Sequence, residues 1–288
     1  MTASLVGLLD VEPSDGRFRG VARDTGSMRT FGGVVLGQAL VAAGRTVDAD
    51  RPVHSLHATF LRGADPAEPI DYAVDRVRDG RRFSVRQVSA SQQGRTLLTA
   101  ITSFHDGEDG LEHESAAPAV PRPDELPDPA QLFEGGDEEM RQWLHAYIGQ
   151  HAVEVRFVSE PPPIAVRKGP ATGELRVWVR CTEALPDDPL LHAAAATYAS
   201  DLFLLTSTLL PHALLFGTGT VQGSTLDHSV WFHRPFRADA WLLFEQDSPW
   251  AGSGRAMSRG HVRDEQGRLV ATLAQEGLLR RPSTTGDA

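Results

Sequence analysis

"FGGVVLGQALVAAGRTV", residues 31–47, enters on a phenylalanine and two glycines and then runs apolar on every side of a helix. A helix without a polar face has nothing to show to water and must be buried. Four stretches follow in which apolar and polar residues alternate: "VHSLHATFL", "IDYAVDRVRD", "RFSVRQVSASQ" and "RTLLTAITSFH". A period of two marks strands with one face turned to a core. Turn residues at Gly63 to Pro66, Asp79-Gly80 and Gln93-Gly94 separate them, as antiparallel neighbours require. The stretch thus predicts a buried helix followed by an antiparallel meander, with "FRGVARD" at 18–24 a short strand ahead of it.

The pattern then restarts. "VEVRFV" and "ELRVWVRCT" alternate as strands, "LLHAAAATYASDLFLLTSTLL" over 190–210 reads as a second buried helix, and four more strand-like stretches end at "ATLAQEGLLRR". Phe60-Leu61-Arg62 recurs as Phe232-His233-Arg234, 172 residues later, and Gln93-Gly94-Arg95 recurs as Gln266-Gly267-Arg268, 173 later. A drift of one residue needs one insertion, so the halves read as an internal duplication. Between them "DGEDGLEHESAAPAVPRPDELPDPAQLFEGGD", starting at Asp106, is too rich in Pro, Gly and acids to form a core. The expected organisation is an N-terminal unit at 1–106, an acidic linker at 107–137 lying over the surface, and a C-terminal unit at 138–288. The economical fold is α+β: two antiparallel sheets, each wrapping a long apolar helix, paired edge to edge into one continuous sheet, a double hotdog. Edge pairing also removes open strands that invite aggregation.

Composition limits the function. The 288 residues carry a formal charge of -10, whereas a nucleic-acid binder needs a clustered basic face. No apolar run approaches the roughly 20 residues that span a bilayer, and "MTASLVGLLDVEPSDG" lacks the basic start of a secretory signal. Cys181 is the single cysteine, which fits a reducing compartment. These features predict a cytoplasmic protein with no nucleic-acid or membrane partner. Several motifs fail. "GGVVLGQA" has phosphate-loop spacing, yet Gln38-Ala39 stands where Lys and Ser or Thr are needed. "GTGTVQG" misses the dinucleotide glycine spacing by one, no G-x-S-x-G elbow occurs, and the pairs His54/His57 and His228/His233 lack the further ligands of a zinc site. No metal and no cofactor is expected.

Asp201 stands out because its neighbours in "ATYASDLFLLT" are almost all apolar. A buried carboxylate is costly unless it is paired or functional; an exposed position or a helix end would also accommodate it. Thr225 and Gln275 are hydrogen-bonding groups on strands of the same half. Together, "FGGVVLGQAL", "HSLHATFLR", "ASDLFLL", "LDHSVWFHRPF" and "QEGLLR" resemble, in order and from about Phe31 to Arg280, the signature segments of the TesB-like acyl-CoA thioesterase II family. The resemblance implies a double hotdog that hydrolyses acyl-CoA to free fatty acid and coenzyme A, with Asp201, Thr225 and Gln275 holding the attacking water. All three residue types are present, which weighs against the alternative, a non-catalytic acyl-CoA binding protein of the same fold. No "FHxDxNPLH"-like segment of a hydratase occurs. Asp201 would act as general base, with Thr225 and Gln275 orienting the water. Gly32 and Gly33 are candidates for the oxyanion site, and His57 and His228 for supporting acid or base roles. Arg62, Arg81, Arg82 and Arg234 are candidates for the CoA phosphates. A broad unburied sheet face predicts a homo-oligomer.

Overall fold

The computed structural model describes residues 4–22, 29–133 and 136–281. The chain opens with one helical turn, α1 (Leu5–Leu9), and a hairpin of β1 (Val11–Ser14) and β2 (Arg17–Gly20). The strand expected over 18–24 is seen to Gly20; residues 23 and 24 lie outside the described ones. Helix α2 (Gly32–Gly44) follows, and then the meander β3 (Val53–Phe60), β4 (Ile70–Asp79), β5 (Phe83–Gln92) and β6 (Arg95–His105). Short helices α3 (Pro129–Leu132) and α4 (Glu138–Leu144) lead to β7 (Val153–Phe157), α5 (Pro162–Ala165), β8 (Leu175–Cys181) and α6 (Pro189–Ser200). The second meander is β9 (Gln222–Phe232), β10 (Leu242–Gly252), β11 (Arg255–Asp264) and β12 (Leu269–Arg280).

Among the described residues, twelve strands make one antiparallel sheet in the order β1-β2-β4-β5-β6-β3-β9-β12-β11-β10-β8-β7. The order is symmetric about the β3–β9 junction. There His57 pairs with Ser229, 172 residues away, so a residue and its own repeat mate face each other across a local two-fold axis. The spacing read from the triplets is therefore the spacing of the symmetry. Strands β5 and β11 keep the offset of 172 end to end, and the drift to 173 enters at the next turn. Gln93-Gly94, both with positive φ, make a two-residue hairpin loop, where the second half uses a longer turn ending on Gly267-Arg268.

Helix α2 is buried from Gly33 to Ala43 because the sheet covers one side and α6 the other. Its glycines admit the partner backbone: a Cβ on Gly33 would lie 2.5 Å from the Tyr198 carbonyl oxygen, and one on Gly37 3.2 Å from that of Ala194. The second helix is shorter than its apolar run predicts. It stops at Ser200, and residues 201–213 continue as turns and short 3-10 segments. Hydroxyls supply the reason: Ser200, Ser207 and Thr208 each donate to the carbonyl three residues back, which competes with the helical ladder. Asp201 consequently caps the C-terminus of α6.

The segment after β6 lies across the C-terminal half. Trp178 Nε1 donates to the Pro121 carbonyl, Arg263 Nη2 to Ser115 Oγ, and the Leu269 amide to the Glu114 carboxylate. No helix among the described residues is long and apolar enough to cross a membrane.

Gln38, the residue that spoils the phosphate loop, is fully buried in α2. Its Nε2 donates to the carbonyls of Leu8 and Val21, and its Oε1 accepts from Tyr72 Oη. Gln38→Leu strands all three partners and is expected to lower unfolding stability by about 2–4 kcal/mol, read as a fall in urea midpoint at unchanged m.

Candidate active site

The end of α6, the start of α2 and the strands β9 and β12 converge on Asp201. Its side chain is 5 % exposed. Thr225 Oγ1 donates to Asp201 Oδ1 at 3.3 Å, and Gln275 Nε2 reaches both Asp201 Oδ1 at 3.1 Å and Thr225 Oγ1 at 2.6 Å. The Gly33 amide at the N-terminus of α2 also donates to the carboxylate, where the helix dipole favours negative charge. Burial nevertheless dominates: it pushes the Asp201 carboxyl up to about 7, while the bonds from Gln275, Thr225 and Gly33 pull the other way. The group is thus poised to gain or lose a proton near neutrality.

The carboxylate stands at the wall of a cavity of about 870 Å³, to which Gly32, Ser224 and Thr225 also contribute. Phe31, Val35, Leu97, Leu202, Leu205 and Leu278 give it apolar surface, the composition expected of a small-molecule site. Gly32 is forced by proximity, since a Cβ there would sit 2.6 Å from Asp201 Oδ2 and 3.3 Å from the Phe60 ring.

The remaining candidates divide. His228 is buried beside the cluster, with Nδ1 3.9 Å from Asp201 Oδ1 and Nε2 2.8 Å from Ser200 Oγ. Burial pushes its pKa down to about 4, so the ring is neutral, and it does not reach the cavity. His57 is not brought to the site: it projects from the other face of β3, against Ser229 at 3.0 Å and edge-on to Trp231. Alternation along the strand decides this, because Ala58 and Phe60 take the opposite face from His57. Of the four arginines, Arg62 lines the cavity. Arg81 and Arg82 sit in the β4–β5 turn beside His105, at the end of β6 remote from Leu97, where Arg82 pairs with Glu108 at 2.9 Å. Arg234 pairs with Glu114 at 3.3 Å on a different cavity. Arg29, Tyr147 and His151 line the Asp201 cavity and were missed by sequence reasoning. No periodicity or motif marks them, and His151 is placed there by contacts with the Phe31 ring and Tyr198 Oη, far from it in sequence.

A family model described as acyl-CoA thioesterase C-terminal domain matches residues 115–279, and one described as acyl-CoA thioesterase N-terminal domain matches 22–105. An acyl-coenzyme A thioesterase 8 of Mus musculus is 38 % identical over 263 residues, covering 88 % of this chain and 81 % of that one. The crystal structure of an acyl-CoA thioesterase II, TesB2, of Mycobacterium marinum is 41 % identical with a TM-score of 0.78, covering 97 % of this chain and 99 % of that one. A hotdog-fold protein of Alicyclobacillus acidocaldarius superposes with a TM-score of 0.77 at 19 % identity, covering 98 % of this chain and 100 % of that one, a likeness of fold alone. With a hotdog-type antiparallel sheet, both domain models matched in order and identity of this extent, the chain belongs to the TesB-like acyl-CoA thioesterase II family.

Proposed function

We propose that Asp201, Thr225 and Gln275 hold and deprotonate the water with which this acyl-CoA thioesterase cleaves its substrate to a fatty acid and coenzyme A. The observation that carries the assignment is the buried Asp201 carboxyl, pushed up to about 7 and bonded to Thr225 and Gln275 at the wall of an apolar cavity. Asp201 Oδ1 is engaged by both neighbours. Oδ2, against Gly32, is then the oxygen that takes the water's proton. A thioester carbonyl is electrophilic and its thiolate leaves readily, so a positioned and partly deprotonated water suffices. The Gly32 amide at the α2 N-terminus is the candidate donor to the developing oxyanion. Arg62, with Arg29 nearby on the same cavity, suits the CoA phosphates.

In this reading the fold is a double hotdog in which 138–288 carries the catalytic trio. Residues 1–106 then lend it the Gly32–Gly33 turn and Arg62, and 107–137 is a connecting strap. The enzyme is cytoplasmic and self-associating. Trp231 on β9 and Ile101 on β6, exposed on the two strands that flank β3, support an apolar contact between copies.

Release of free thiol from acyl-CoA esters of increasing chain length tests the activity; an inert protein that still binds the esters would turn the reading to the binding alternative. The pH profile tests the base. Because the folded carboxyl is raised, kcat/KM is expected to be level above about pH 7 and to fall tenfold per unit below it. Gln275→Ala removes a bond that favours the charged form, so its acid limb moves to higher pH while its plateau drops about tenfold to a hundredfold. An unmoved limb would separate Gln275 from Asp201.

A further inference from the structure

A second cavity, of about 860 Å³, is the repeat mate of the catalytic one. Phe232, His233 and Arg234 line it, where their mates Phe60, Leu61 and Arg62 line the first, and it opens at the start of α6 as the first opens at the start of α2. It lacks the hydrolytic chemistry. Val53 stands 172 residues before Thr225 and Thr102 stands 173 before Gln275. Helix α2 is capped by Arg45 where α6 is capped by Asp201.

A buried donor without an acceptor borders the cavity. His192, 3 % exposed on the first turn of α6, lines it. Its Nδ1 accepts the Ala238 amide at 3.1 Å, so the hydrogen resides on Nε2, and that buried atom has no partner among the described residues. A desolvated N–H of this kind is costly to leave unmade, and an oxygen brought by a ligand would satisfy it. Burial lowers the ring's pKa, so His192 offers a hydrogen without a charge.

The walls are apolar: Val53, Pro189, Ala193, Phe232, Phe236 and Trp241. The rim does not suit phosphates. Arg234 is taken by Glu114 at 3.3 Å, Arg237 by Asp239 at 2.8 Å and Arg268 by Asp264 at 2.7 Å, and Asp50, Asp106 and Glu265 add further acid. Arg62 on the catalytic cavity differs, donating to the Thr96 carbonyl. We propose that this second cavity is a non-catalytic binding site for an uncharged acyl-chain compound, an ester, amide or alcohol, whose oxygen accepts the His192 Nε2 hydrogen.

Calorimetric titration with 1-monodecanoylglycerol, decanoate and decanoyl-CoA tests it, the last on Asp201→Asn to prevent turnover. Two variants alter the cavity. Ala240→Trp fills it, and His192→Asn keeps an acceptor for the Ala238 amide while removing Nε2. The glyceride is expected to bind wild type and to lose at least tenfold in affinity in both variants, whose melting temperatures and decanoyl-CoA turnover stay at wild-type values. Should His192→Asn fail to fold, Ala240→Trp decides alone. Absence of glyceride binding, or undiminished binding in Ala240→Trp, overturns the proposal. So does a response to these variants confined to decanoate or decanoyl-CoA, since the ligand would then be anionic.

Discussion

Asp201→Asn is expected to lose on the order of a hundredfold or more in kcat while making the protein harder to unfold. The rate loss follows from removing the proton acceptor, a contribution of about 10²–10⁴ for positioned general bases. The stability gain follows from burial. The Asp201 carboxyl is raised from 3.8 to about 7 on folding, so the stability it allows is complete below the unfolded value and is lost as pH rises through the folded one. At pH 8 the ionised form costs the fold up to roughly 4 kcal/mol. An amide of the same shape escapes that cost but presents an NH₂ to part of a pocket built of donors, leaving a gain of about 2 kcal/mol. Thiol release and urea unfolding at pH 8 measure the two together. A dead variant that is also less stable would point to disruption, and an active one would move the base elsewhere, with the adjacent His228 next in line.

Gly32→Ala sets two effects against each other. Alanine is favoured over glycine inside a helix by about 1 kcal/mol, and Gly32 lacks the positive φ that would forbid a side chain. The new methyl, however, would lie 2.6 Å from Asp201 Oδ2. That oxygen belongs to a carboxylate anchored by Thr225, Gln275 and Gly33, so either the anchor bonds stretch or the α2 N-terminus withdraws. Misplacement of a base by about 1 Å costs on the order of a hundredfold, and kcat/KM is expected to fall by about that factor while the melting temperature changes little. Wild-type turnover in this variant would show that the close approach of α2 to Asp201 does not matter to the reaction.

The strands and the first helix were legible because their signal is periodic and local. The duplication was legible in two short triplets, whose offset of 172 is the spacing of the His57–Ser229 pair at the symmetry axis. The second helix was overread: its composition is apolar to Leu210, but the serine and threonine hydroxyls that divert the backbone after Ser200 count as neutral in a hydropathy pattern. The arginines show the same limit. Arg62 and Arg234 occupy equivalent positions in the repeat, yet Glu114, far from both in sequence, pairs with Arg234.

By itself the sequence determined the order of elements, their buried and exposed faces and the two-fold repeat, and the resemblance it carries pointed to Asp201, Thr225 and Gln275. The elements and their faces depend on residues a few positions apart, where backbone geometry leaves little choice, and the repeat shows as a fixed offset along the chain. Only the tertiary structure decided that Asp201 is a buried carboxyl raised toward neutrality and that the repeat is unequal. The first arises because Thr225 and Gln275, 24 and 74 residues along the chain, and the start of α2 close around one carboxylate. Desolvation, which sets its pKa, is a property of everything packed against the group, and that packing exists only once both halves have joined.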